Sequence, residues 1–184
     1  MHKFNEKART EKVLQLLASG MSVALVSDAG TPAMNDPGCA LIAQVAESGF
    51  RVEPVPGPNA MTVALCASGL RTDWFLFDGF LPRKSGQRRR RFTELQNQER
   101  TLVFFESPHR LEKSLQDALA VLGNRRAVLA RELTKIHEEF LRGDLESLLE
   151  KVRDWPRCRG EMVLILEGAS PLLQRGVRGD FNAR

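Results

Sequence analysis

Histidine and cysteine are scarce, three of each in 184 residues, and neither set has the spacing of a metal site. Cys39, Cys66 and Cys158 cannot all pair and fall in segments read as helix or loop. The expectation is therefore a reducing, cytoplasmic setting with no metal. No apolar run approaches the roughly 20 residues of a membrane span. The opening MHKFNEKARTEK has no apolar signal-peptide core, so no membrane association is expected. The sequence also lacks a Gly-x-Gly-x-x-Gly turn after a strand, a Gly-x-x-x-x-Gly-Lys-Ser/Thr loop and a Gly-x-Ser-x-Gly elbow. Nicotinamide chemistry, P-loop phosphate chemistry and serine hydrolysis lose their usual marks, and no serine or cysteine nucleophile stands out.

What is present is ordinary in bulk and uneven in charge. Hydrophobic residues make up 42% and charged residues 27%, which excludes both disorder and a fibre. Lys and Arg number 27 against 23 Asp and Glu, a net charge of +4 and a pI near 9.2. The excess is concentrated between Pro82 and Phe92, where Arg83, Lys84, Arg88, Arg89, Arg90 and Arg91 occur with no acid among them. Such a run is either a solvated helix face or a phosphate-contacting patch for nucleic acid. No aromatics interleave the arginines, so base stacking is not indicated.

Strand and helix patterns alternate along the chain, the mark of an α/β fold. Helical spacing runs over 5–19, with Ala8, Val13, Leu16 and Leu17 on one stripe and Gly20 as C-cap. Met21–Val26 reads as a buried strand, Asp36-Pro37 as the start of a helix to about Ser48, Val52–Val55 as a strand, and 60–68 as a helix. Next come an aromatic strand over Trp74–Phe80, a helix through about Asn97, a strand over Thr101–Phe105 and a helix from Ser107-Pro108. Ala127–Ala130, Glu138–Leu141 and Met162–Leu166 read as strands, and Leu145, Leu148, Leu149 and Val152 as a helical stripe. A glycine and polar residues at 69–73 suggest two small lobes, 1–70 and 71–170, with a tail over 171–184. With only two clear strands, the first lobe is expected to be incomplete.

Three loops at strand ends could carry chemistry. Ser27-Asp28-Ala29-Gly30-Thr31-Pro32 follows a strand; its small residues let backbone N–H groups approach a ligand, and Asp28 can accept from ribose hydroxyls or an amine. A plain Asp/Gly turn reads equally well. Pro56-Gly57-Pro58-Asn59 opens a helix and is either an oxygen-binding turn or simply a rigid one. Ala130-Arg131-Glu132-Leu133-Thr134-Lys135 crowds a cation, an anion, a hydroxyl and an amine after a strand, and could be a salt-bridged corner.

SDAGTPAMNDPG, VPGPNA, DGFLPRKSGQRR, FFESPHRL, LARELTK and GEMVLILEG, in this order over residues 1–170, resemble the tetrapyrrole-methylase superfamily of S-adenosylmethionine-dependent methyltransferases. The closer resemblance is to the branch that methylates a cytidine ribose 2′-hydroxyl in 16S ribosomal RNA of the small subunit. The resemblance implies two α/β lobes with S-adenosylmethionine in the cleft between them, usually in a homodimer. It implies that Asp28, Ala29, Gly30, Thr31, Pro32, Asn59 and Ala60 line the cofactor site from the first lobe. Phe80, Leu81, Ala130, Arg131 and Met162 would line it from the second. The superfamily pattern begins with a strand and a Gly-rich loop and extends further at its C-terminus; this sequence has neither feature, and Asn59 stands where relatives more often carry serine or cysteine.

On that reading the 2′-oxygen attacks the methyl carbon in line, and the protein chiefly aligns the reactants. A base or a cation would help with the hydroxyl proton or the developing charge. Glu132 and Lys135 are the candidates, with Glu106 behind them, and each could instead be an ion-pair partner. Arg110 could contact phosphate or serve a cap. Alternatives are a precorrin-type C-methyltransferase and a non-catalytic module that binds RNA or dimerises.

Overall fold

The computed structural model describes residues 6–155 and 159–170. Cys158 and the expected tail over 171–184 lie outside them. Contacts divide the chain into two compact units, Met1–Asn59 and Ala60–Arg184, so the division falls after Asn59 rather than near residue 70. The reason is local: the helix that follows Asn59 packs on the sheet of the second unit.

In the first unit, α1 (Glu6–Ala18) and α2 (Cys39–Glu47) lie against each other. At the end of α1, Gly20 takes φ 83°, and the N–H groups of Gly20 and Met21 turn back to the carbonyls of Leu17 and Leu16. This glycine-terminated closure is the one its position predicted. At α2 the outcome differs. The helix starts at Cys39 after Gly38, whose φ of 134° only glycine accepts cheaply, so Asp36 and Pro37 stand outside it. The two expected strands, 21–26 and 52–55, form no ladder among the described residues, and Val26 and Val55 are 80% and 89% exposed. A segment becomes a strand only when a neighbour satisfies its backbone groups, and among the described residues neither segment has one.

The second unit holds a five-stranded sheet in the order β1-β2-β5-β3-β4. Its strands are β1 (Phe75–Phe80), β2 (Thr101–Glu106), β3 (Arg126–Arg131), β4 (Glu139–Asp144) and β5 (Met162–Leu166). β1 and β2 are parallel; β5 runs antiparallel to both β2 and β3, and β4 antiparallel to β3. Hence β1, β2 and β3 point the same way and end at one edge. The continuous apolar text of β2 and β5 follows from cover on both faces. Leu102, Phe104, Leu129, Leu164 and Leu166 pack beneath α4 (Ser85–Leu95), α5 (Pro108–Leu122) and α6 (Leu145–Arg153). Val103, Val128, Val163 and Ile165 pack beneath α3 (Ala60–Cys66), whose Met61, Ala64 and Leu65 are buried. Phe92 of α4 meets Phe104 of β2 edge-on at 5.8 Å, a geometry that favours the ring quadrupoles. The α/β expectation is met, with the sheet belonging to this unit.

Two helix starts in this unit use different devices. At α6, Asp144 accepts from the Ser147 N–H at 2.8 Å while Ser147 Oγ accepts from the Asp144 N–H, a reciprocal capping box. At α5, Pro108 occupies the first turn, but the Ser107 hydroxyl makes no cap; it accepts from Arg110 Nε at 2.9 Å.

Candidate functional site

Register gathers most of the second-unit candidates at the carboxyl edge of β1, β2 and β3. Glu106, Met162, Arg131 and Glu139 are successive partners across β2, β5, β3 and β4. One step inward, Phe80, Phe105, Val163, Ala130 and Phe140 are partners across all five strands. Leu81 follows directly, its N–H reaching the Phe105 carbonyl at 3.4 Å. Open α/β sheets place ligands at this edge. The side chains divide sharply, however. Leu81, Ala130 and Met162 are buried in the core with almost no surface open to a ligand, whereas Phe80 is 56% exposed. Gly79, with φ 70°, makes the break in register between Phe77 and Phe80 that turns this ring outward.

The corner after β3 is strained and heavily bonded. Glu132 and Thr134 take φ of 50° and 64°, left-handed values that cost non-glycine residues about 1 kcal/mol or more each. Compensation comes from the Glu132 N–H to the Glu161 carbonyl at 2.9 Å, the Glu161 N–H to Glu132 Oε1 at 2.9 Å, and the Thr134 N–H to Glu138 Oε2 at 2.6 Å. Lys135 Nζ lies 2.9 Å from Glu132 Oε1 and 2.9 Å from Glu161 Oε2. The Glu161 N–H and the Lys135 ammonium hold the Glu132 carboxyl below its ordinary range. Hydrogen bonds from Lys135 to Glu132 and Glu161 raise the ammonium above its own. Both groups are therefore fixed in their charged forms, which suits an electrostatic role better than proton abstraction. Arg131 is also engaged: its Nε donates to the Arg159 carbonyl at 2.9 Å, and its guanidinium stacks 4.9 Å from the Trp155 ring.

Glu106 corrects the sequence reading. Its side chain is fully buried and both oxygens are taken, by the Ser107 N–H at 2.7 Å, Ser114 Oγ at 2.6 Å and Arg110 at 2.7 Å. A carboxylate so enclosed is out of reach of a ribose hydroxyl. Arg110, in turn, spans Glu106, Ser107 Oγ and the Leu81 carbonyl, and is an internal strut rather than a phosphate contact.

The basic run also resolves unevenly. Successive residues of a helix are turned by about 100°, so four consecutive arginines cannot share one face. Arg88, expected on the RNA-contacting patch, is 1% exposed, and its Nε donates to Asp117 Oδ2 at 2.8 Å; it cannot meet a phosphate. Arg91 is paired with Asp78 and Glu94, which raise its guanidinium above the ordinary range. Arg90 makes only an exposed contact with Glu94 at 3.3 Å. Arg83, Lys84 and Arg89 are exposed and have no ion pair among the described residues.

In the first unit, Thr31 joins the two candidate loops. Its Oγ1 donates to the Pro58 carbonyl at 3.2 Å and accepts from Asn59 Nδ2 at 3.3 Å. Ser27 Oγ donates to the Ala29 and Gly30 carbonyls, closing the first loop on itself. Asp28 and Ala29 are exposed, and among the described residues the Asp28 carboxylate has no partner. Space beside Gly30, at φ 74°, is open. Thr31 and Pro32 are half-buried, and Ala60 begins α3 in the other unit.

Residues 2–149 match the family described as Tetrapyrrole (Corrin/Porphyrin) Methylases. The chain belongs to that family. A curated relative from Halalkalibacterium halodurans, "Ribosomal RNA small subunit methyltransferase I", is 47% identical over 91% of this chain and 57% of its own length. The chain thus spans a little over half of the curated relatives it matches. The crystal structure of the methyltransferase CobJ aligns with TM-score 0.65 at 19% identity, over 89% of this chain and 72% of that one. A uroporphyrin-III C-methyl transferase from Thermus thermophilus, complexed with S-adenyl homocysteine, aligns with TM-score 0.51 at 19% identity, over 92% and 75%. These likenesses share the fold.

Some residues around these candidates were not singled out from sequence. Asp117 anchors Arg88, and Ser114 completes the shell of Glu106. Gly160, at φ 98°, packs so closely on the Glu132 side chain that a Cβ there would overlap it. The i,i+4 spacing of Glu106 and Arg110 is the one signal in the sequence for such a pair. Among the described residues, no helix is long and apolar enough to cross a membrane, and no group of three or more metal-ligating side chains occurs.

Proposed function

We propose that this chain carries an S-adenosylmethionine-dependent methyltransferase activity directed at a cytidine ribose 2′-oxygen in 16S ribosomal RNA, within the small ribosomal subunit. The observation that carries it is the near-half identity, over nine-tenths of the chain, with a relative named for methylation of small-subunit ribosomal RNA. The cytoplasm is the compartment where that substrate resides, and a homodimer is the working assembly.

The residues present fit the cofactor. An exposed Asp28 carboxylate with no partner among the described residues, beside open backbone at Gly30, suits a ligand bearing an ammonium group and ribose hydroxyls. Bound S-adenosylmethionine supplies a methyl group already activated for displacement. In the first unit, Ala29, Gly30, Thr31, Pro32 and Asn59 shape the loops around Asp28. Lys135 stabilises charge developing on the attacking oxygen, and Glu132 holds the ammonium in place. Arg83, Lys84 and Arg89 contact RNA phosphates, with Arg90 free to join them.

The test is transfer of labelled methyl from S-adenosylmethionine to small ribosomal subunits that lack the modification. Label on a ribose 2′-oxygen is the expected result. Label on a tetrapyrrole carbon, or none with cofactor bound, would overturn the proposal.

A further inference from the structure

The three residues that leave β1 are held by their carbonyl oxygens. Arg110 Nη1 donates to the Leu81 carbonyl at 3.2 Å, and Arg88 Nη1 donates to those of Pro82 and Arg83 at 3.1 and 3.3 Å. Each guanidinium is itself anchored by a buried carboxylate. Asp117 takes Arg88 Nε at 2.8 Å and also accepts from Ser85 Oγ at 2.9 Å. Glu106, with no exposed side-chain surface, takes Arg110 at 2.7 Å. Two ion pairs from two elements, α4 and the β2–α5 junction, thus converge on three consecutive peptide units.

Buried ion pairs are weak stabilisers relative to apolar side chains of the same volume, and their best-attested service is to select one geometry. The segment selected here follows Phe80, exposed at the strand-end edge, and leads into Arg83 and Lys84, which have no ion pair among the described residues. We infer that Arg88 and Arg110 are positioning residues: with Asp117 and Glu106 they fix residues 81–83 so that Arg83 and Lys84 are aimed at RNA phosphate. Arginine is required because only its planar fork serves a carboxylate and two carbonyls at once. The consequence for RNA rests on the function proposed above; the fixing of the segment does not.

The test replaces the Arg88–Asp117 pair by apolar side chains in the full chain, R88M/D117L, with R88K as a second variant that keeps the charge and loses the fork. Two readouts are taken in protein shown to be folded by its melting transition: backbone order from amide nitrogen relaxation at Leu81, Arg83 and Lys84, and affinity for unmodified small ribosomal subunits at fixed salt. The expected result is lower order at those three amides, unchanged order in β5, and about a tenfold loss of affinity in either folded variant. Backbone order at 81–84 equal to that of the parent overturns the inference, as does lower order with affinity within twofold of a parent that binds. If the parent itself does not bind the subunit, the functional proposal fails while the relaxation result still decides the positioning role. If R88M/D117L does not fold, R88K decides alone.

Discussion

The Lys135 ammonium and the Glu132 carboxylate hold each other charged across 2.9 Å. The carboxyl lies below its ordinary range and the ammonium above its own, so neither titrates near neutral pH. A base would need the opposite displacement, a carboxyl raised or an amine lowered toward 7. Lys135→Met is therefore expected to lower kcat about 10²-fold, the usual loss for removing one stabilising donor. Lys135→Arg should lose less, because the charge remains. The pH profile between 6 and 9 should keep its shape in Glu132→Gln. Full activity in Lys135→Met would remove the cation from the mechanism.

The dispersal of the arginine run sharpens the RNA prediction. Replacing Arg83, Lys84 and Arg89 by glutamine removes exposed cations that make no ion pair among the described residues. The melting temperature should stay within a few degrees, while the slope of log affinity against log salt should shrink by about 0.7–0.9 per lost phosphate contact. Binding to small ribosomal subunits at several salt concentrations measures it; an unchanged slope places these cations off the RNA.

The sheet of the second unit was legible because its text is two-sided: Met162–Leu166 alternates between two packed faces, and every position is apolar. The first unit was misread for the same reason. Residues 21–26 carry strand-like apolar text, and 52–55 two valines around Glu53 and Pro54, but a strand is a property of a pair, and pairing is not written in either segment alone. Charge was the other blind spot. Arg88 and Arg89 are adjacent and chemically identical in sequence, yet one lies against Asp117 in the core and the other in solvent. The carboxylate that decides between them is 29 residues away. Glu106 was misassigned likewise, because Ser114 and Arg110 close around it only once α5 has formed.

The Thr31 hydroxyl joins two loops of the first unit. Thr31→Val keeps shape and volume while severing the link to Pro58 and Asn59. Each such bond contributes about 0.5–1.5 kcal/mol. Calorimetry with S-adenosylmethionine should therefore show affinity lower by roughly two- to tenfold, with Thr31→Ser close to the parent. Equal affinity in Thr31→Val would mean that the cofactor does not need the two loops joined.

At the start of α6 the capping box gives a stability prediction with a definite pH sign. The Ser147 N–H, aided by the Ser147 hydroxyl and Asn124, holds the Asp144 carboxyl below its ordinary range. A carboxylate depressed in the folded state contributes stability that is fully present above its unfolded value, about 3.9, and is lost as pH falls through the folded value. Asp144→Ala should cost about 1 kcal/mol at pH 7. That difference between parent and variant should narrow as the pH is lowered from 5 toward 2. Gly143→Ala should reproduce part of the loss, because a Cβ at Gly143 would overlap Ser147 Oγ and push it off the Asp144 N–H. Urea melts of the three proteins at pH 7 and pH 3 measure both effects. A parent–variant difference of the same size at the two pH values would show that the carboxylate charge plays no part in the cap.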